Sequence, residues 1–153
     1  MKNAYIYSRK LFNGFIDENF PNLIIPENIA IISIGEPDTR EHLLENSSNV
    51  LNLDFWDVND YFKKDYAGMT DEQATISYNF IKDNINKDFH IHCAAGVSRS
   101  QAFGRFLEDC FVYNVVSVGK TPSYPNAHVL RLLKRCWRKD VELFSSNLPC
   151  SFL

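Results

Sequence analysis

In Phe89-His90-Ile91-His92-Cys93-Ala94-Ala95-Gly96-Val97-Ser98-Arg99-Ser100, a short apolar run ends in a cysteine and a helix-like pattern begins just past an arginine. Five residues separate Cys93 from Arg99, all small or modest in size, with no proline and with Gly96 where a tight loop needs a positive φ. Such a loop can wrap an anion. The backbone N–H groups of Ala94, Ala95, Gly96, Val97, Ser98 and Arg99 would aim inward, and the N-terminus of the following helix would add partial positive charge. A tetrahedral phosphate suits it best. The end residues supply the chemistry: the thiolate is the reactive form of cysteine, and it is favoured at helix N-termini and beside cations. Cys93 is expected to have both neighbours. Arg99 offers a planar fork of donors that matches two phosphate oxygens, a geometry lysine cannot reproduce. The Ser100 hydroxyl stands where it can hydrogen-bond the sulfur, and His92 is expected to orient the loop through its ring nitrogens. The plainer alternative is a buried strand-to-helix turn around an inert cysteine.

His92-Cys93-x5-Arg99-Ser100 resembles the signature of the cysteine-dependent protein tyrosine phosphatases. Ala95-Gly96-Val97-Ser98-Arg99-Ser100 is most similar to their small dual-specificity branch, and the resemblance spans roughly residues 5–140. It implies an α/β fold with a central mixed, mostly parallel sheet of about four to five strands covered by about six helices. The implied reaction is hydrolysis of phosphotyrosine, with phosphoserine or phosphothreonine as further substrates, through a thiophosphoryl-cysteine intermediate. The implied partner is a phosphorylated protein, with phosphate or another oxyanion in the loop. No cofactor or metal is implied, and the four histidines show no ligand spacing.

The resemblance also implies a general acid, an aspartate on a loop upstream of the nucleophile. Asp54, Asp57, Asp60 and Asp65 lie 39, 36, 33 and 28 positions before Cys93. Asp57 is the choice, because it follows Phe55-Trp56, where the chain should leave the sheet and arch over the strand ends. Asp54 falls inside an alternating strand pattern. Asp60, in the turn-like Asn59-Asp60-Tyr61, stays a rival. Trp56, Tyr61, Phe62 and Tyr124 are candidates to line the entrance, and Pro125-Asn126 resembles the segment that supports the phosphate loop in these enzymes.

The elements that must position these groups read as strands alternating with helices, which implies ligand binding beyond the carboxyl ends of an α/β sheet. Tyr5 to Ser8 suggests an edge strand, and Leu11 to Phe15 a loop. Asn28 to Gly35 is a nearly continuous β-branched run, as in a strand buried on both faces. Asp38 to Glu45 suggests a short capped helix, and Val50 to Phe55 a second strand. Thr70-Asp71-Glu72-Gln73 has capping-box spacing and opens an amphipathic helix over 70–86. Phe89 to His92 delivers Cys93, and 99–113 should be a buried central helix whose Gly104 marks close packing. Residues 117–125 read as a loop, and a last helix starts near Asn126. That helix buries Val129, Leu133, Cys136 and Trp137, opposite a basic side of Arg131, Lys134, Arg135, Arg138 and Lys139 that is either solvated or docks an acidic partner.

At 153 residues the chain reads as one domain, long enough for a single core. A net charge of −3 gives no global attraction to nucleic acid or to an anionic membrane, and neither is expected as a partner. Cysteines at 93, 110, 136 and 150 show no paired short spacing, and no signal-peptide or membrane-spanning run is visible. The expected compartment is the cytoplasm. Three other readings compete: a phosphatase for nucleotides, RNA 5′ ends or inositol phosphates; a phosphoprotein-binding module without turnover; and, less well matched, a rhodanese-type sulfurtransferase.

Overall fold

The computed structural model describes residues 1–59 and 67–146. Strand β4 (Asp88–Cys93) occupies the middle of the sheet, and its period-two alternation sorts its side chains. Phe89, Ile91 and Cys93 enter the main core, whereas the rings of His90 and His92 stack on Phe15 and Phe12 on the opposite face. Strands β1 (Asn3–Ser8) and β2 (Ile29–Gly35) flank β4 on either side. Outside them lie β3 (Val50–Asp54), against β2, and β5 (Asn114–Ser117), against β1. The order is β3-β2-β4-β1-β5.

All four pairings are parallel, so the sheet among the described residues is parallel throughout rather than mixed. The reason is that no connection is a hairpin: even the helix-free link from β2 to β3 is a crossover over residues 36–49. Every residue of β2 is buried, as its β-branched run implied. β1 is an inner strand, not an edge. β5 covers it, a four-residue strand too short to leave a pattern.

Four α-helices cover the sheet among the described residues, fewer than the six expected. Helix α1 (Arg9–Asn19) takes the place of the loop expected at Leu11 to Phe15. Ser8 caps it, accepting from Leu11 N, and Phe12 and Ile16, four apart, bury one stripe against Tyr7, Ile31 and Val50. Asn13-Gly14 looks turn-forming, but that tertiary contact overrides it. Conversely, residues 38–45 form no helix. The chain turns with Thr39 N and Arg40 N both donating to the Glu36 carbonyl, and Arg40 sits at φ 48.

On the other face lie α2 (Asp71–Asp83), α3 (Arg99–Phe111) and α4 (Ala127–Ser146). Thr70 and Gln73 close the expected capping box. Gly104 of α3 is where the helix meets the sheet: a Cβ there would lie 3.1 Å from Ile6 Cδ1 and 3.2 Å from Val115 Cγ1. Gln101 of α3 is buried although polar. On the basic side of α4, Lys134 pairs with Asp109 and Arg131 donates to His128. β1 and β4 are neighbours whose chains leave toward opposite faces, into α1 and α3. That divergence opens a crevice at their carboxyl ends. Among the described residues, no helix is long and apolar enough to cross a membrane.

Candidate active site

The loop from Cys93 to Arg99 lies in that crevice, and its carbonyls fix its shape. Ala94 O accepts from Arg9 N, Gly96 O from Gln101 Nε2, Val97 O from Tyr124 N and Ser98 O from Asn126 N. Four donors, from α1, from α3 and from the segment before α4, thus hold its carbonyls on the outside. In a trans peptide the next N–H points the opposite way, and none of the described peptides is cis. The amides of Ala95, Val97, Ser98 and Arg99 therefore face the hollow. Gly96 N donates to Cys93 Sγ at 3.3 Å, and Ser100 Oγ lies 3.1 Å from the same sulfur. Gly96 has φ 72, and a Cβ there would come within 2.7 Å of Ser8 N and Tyr7 C. Only glycine fits.

The N-termini of the other three α-helices among the described residues are closed by side chains: α1 by Ser8, α2 by Thr70, and α4 by Asn126 Oδ1, which accepts from Val129 N. The start of α3 has no side-chain cap. Its Ser98 Oγ donates outward to Asp57 Oδ1 at 2.7 Å. Cys93 and Arg99, 2% and 4% exposed, thus sit at the foot of a buried helix N-terminus with no internal partner for its first amides.

Arg99 is held from behind. Nη1 donates to the Phe55 and Gly35 carbonyls at 2.8 and 3.3 Å, and Nη2 to Glu36 Oε1 at 2.6 Å. Glu36 also pairs with Arg9. Burial opposes ionisation of Glu36, yet the hydrogen bond and charge of Arg99, with Arg9 behind them, hold its carboxyl below the usual range. Arg99 Nε is buried without any partner.

Asp57 is brought to the same place, exposed at the rim, its Oδ1 also accepting from Asn126 Nδ2 at 2.8 Å. Asn126 is 1% exposed and its side chain binds the Val58 carbonyl as well, so this one residue, through side chain and backbone N–H, joins the segment bearing Asp57, the loop and α4. Asp54 is turned elsewhere, paired with His42 at 2.7 Å. Asp60, Asp65, Tyr61 and Phe62 lie outside the described residues. Tyr124, 70% exposed, stands next to the loop through its backbone bond to Val97.

His92 lies behind the loop, 3% exposed. Its Nε2 meets Ser33 Oγ at 2.6 Å, and Nδ1 lies 3.3 Å from the Cys93 carbonyl oxygen. Burial, reinforced by the charges of Arg9, His42 and Arg99 and only partly offset by that carbonyl, lowers its pKa to about 4. The ring is neutral near pH 7, which suits an orienting role and not proton transfer.

Sequence reasoning missed Glu36, Arg9, Gln101, Ser33 and His42. A polar residue just past a buried strand, in Gly35-Glu36-Pro37, was the available signal for Glu36. Nothing in the local pattern marked Gln101, which bonds Gly96, Ser117 and Ser123 at once. No family model, no curated protein and no solved structure matches the chain.

Proposed function

We propose that the chain is a cysteine-dependent phosphatase of phosphate monoesters. Within that class it is a small dual-specificity-type enzyme that removes phosphate from phosphotyrosine, and from phosphoserine or phosphothreonine, in proteins. One observation carries this: Arg99 Nε is buried without a partner at the start of α3, which itself has no side-chain cap, on the loop that carries the Cys93 sulfur. Leaving a buried donor unsatisfied costs about 1–3 kcal/mol. An oxyanion in the loop would complete it and the uncapped helix start together. An inert cysteine in a turn would need none of this.

The Cys93 thiolate attacks phosphorus in line with the leaving oxygen, forming an S–P bond as the P–O bond breaks. The loop amides and Arg99 hold the three equatorial oxygens, and this is the largest contribution to lowering the barrier. Asp57, with Oδ1 held by Ser98 and Asn126, carries a proton on its other oxygen and gives it to the departing alkoxide or phenoxide. The same carboxylate then takes a proton from the water that displaces sulfur, and the Ser100 hydroxyl stabilises the thiolate as it leaves. Exposed Tyr124 beside the loop offers a face for the substrate's aromatic ring.

Purified protein should hydrolyse p-nitrophenyl phosphate. Cys93→Ser should abolish turnover while still capturing phosphotyrosine protein, and Asp57→Asn should lower kcat by about 10²- to 10³-fold. Undiminished hydrolysis by Cys93→Ser removes the mechanism. Preferential capture of a nucleotide, RNA end or inositol phosphate would move the substrate class away from protein.

A further inference from the structure

His92 ends a line of hydrogen bonds that crosses three strands on the α1 face. Ser33 is its register partner on β2, and the two side chains meet at 2.6 Å. Ser33 Oγ also meets His42 Nδ1 at 2.8 Å, and His42 Nε2 meets Asp54 Oδ1 at 2.7 Å at the end of β3. The line passes directly over Gly35: a Cβ there would lie 2.9 Å from Asp54 Oδ1 and 3.3 Å from His42 Cε1. His42, in the middle of the line, and His92 both line a cavity of about 340 Å³ with Arg9, Asn13, Arg40, Glu41 and Leu43.

Counting protons along this line allows two arrangements. A carbonyl oxygen cannot donate, so the contact between His92 Nδ1 and the Cys93 carbonyl is a hydrogen bond only when Nδ1 carries the proton. His92, with its pKa lowered to about 4, carries one proton only near pH 7, so its Nε2 is then bare and accepts from the Ser33 hydroxyl. Ser33, having one hydrogen to give, must accept from His42 Nδ1–H. The Asp54 carboxylate accepts from a protonated His42 Nε2 as well, so in this first arrangement both ring nitrogens of His42 carry a proton. If His42 gives up its Nδ1 proton, it still donates from Nε2 to Asp54, but the bonds on either side of Ser33 reverse. Ser33 then donates to His42, His92 donates to Ser33 from Nε2, and the bond to the Cys93 carbonyl is lost.

We infer that Asp54, His42 and Ser33 act as a positioning relay that selects the tautomer of His92, so that the protonation of His42 at the cavity makes or breaks the hydrogen bond on the carbonyl of Cys93. The charged groups around His42 are Asp54 from β3, Arg9 from α1, Glu36 beyond the end of β2, and Arg40 and Glu41 on its own segment. For its consequence in catalysis the inference rests on the phosphatase proposal, but its test does not.

That test is a nitrogen-15 titration of the histidine rings in the intact protein between about pH 5 and about pH 8, where histidines ordinarily change charge. As His42 loses its Nδ1 proton, His92 should pass from the Nδ1–H to the Nε2–H tautomer with the same midpoint. Ser33→Ala should uncouple the two rings. If the protein turns over phosphate esters, that variant should also lose the pH dependence of kcat that follows His42. A wild-type His92 that keeps one tautomer across the range overturns the relay, and this readout needs neither the variant nor any activity. Absent turnover with coupled rings would count against the phosphatase reading alone.

Discussion

The two histidines of β4 make a prediction that depends on no function. His90 and His92 are 7% and 3% exposed, and burial lowers the pKa of each to about 4, Asp88 partly opposing the shift at His90. In the unfolded chain both return to about 6.5, so the unfolded state binds more protons as pH falls. Stability from these groups is therefore complete above about pH 6.5 and drains away as pH drops toward 4. Each pKa unit corresponds to about 1.4 kcal/mol, so each ring contributes roughly 3 kcal/mol of acid sensitivity, out of a typical total of about 5–15 kcal/mol. His90→Phe isolates one of them. The new ring keeps the stack between Tyr5 and Phe15, but Tyr7 OH loses its 2.6 Å partner, a cost of about 1–2 kcal/mol. Urea denaturation followed by circular dichroism should find the variant less stable than wild type at pH 7 and more stable near pH 4. Parallel curves over that range would refute the reasoning, because they would mean that His90 does not titrate differently in the two states.

Two further outcomes follow from the loop. Gly96→Ala places a Cβ 2.7 Å from the backbone of Ser8 and Tyr7 at φ 72, and should cost about 3 kcal/mol or more by urea titration. Equal stability would mean that the loop does not hold this shape in solution. Tungstate, a tetrahedral oxyanion, at about 100 times its dissociation constant should stabilise the wild type by about 2.7 kcal/mol, or roughly 5–10 °C in Tm. In Arg99→Lys, which lacks the unpartnered Nε and the fork, the same concentration should give little shift. An equal shift in both proteins would place the anion elsewhere.

Much of the site was legible because it is local. The spacing of Cys93, Gly96, Arg99 and Ser100 sets one loop, and Thr70 with Gln73 sets one helix start, each within a few residues. What escaped was whatever depends on partners far along the chain. Leu11 to Phe15 carries a turn-forming Asn-Gly pair, and it is helical because Phe12 and Ile16 are buried under the sheet. His42 sits in a segment with helix-start residues, yet Ser33 and Asp54, nine and twelve residues away, engage its ring while the backbone turns at Arg40. Strand polarity could not be read either, since a buried β-branched run looks alike in parallel and mixed sheets.

The same alternation that made β4 easy to recognise explains how one strand serves two purposes. Cys93 and His92 are consecutive, so they must point to opposite faces. The thiol meets Ser100 on the α3 side, and the imidazole meets Phe12 and Ser33 on the α1 side. The Cys93 carbonyl, which opens the Cys93–Ala94 peptide, lies 3.3 Å from His92 Nδ1, which is why a proton placed there bears on the first peptide of the loop. Gly35 stands at the matching point on β2. Its carbonyl holds Arg99, and its missing side chain leaves room for His42 and Asp54. A methyl group there would press on Asp54 while leaving the Arg99 bond formally available. Gly35→Ala should therefore disturb the histidine line first and the guanidinium second.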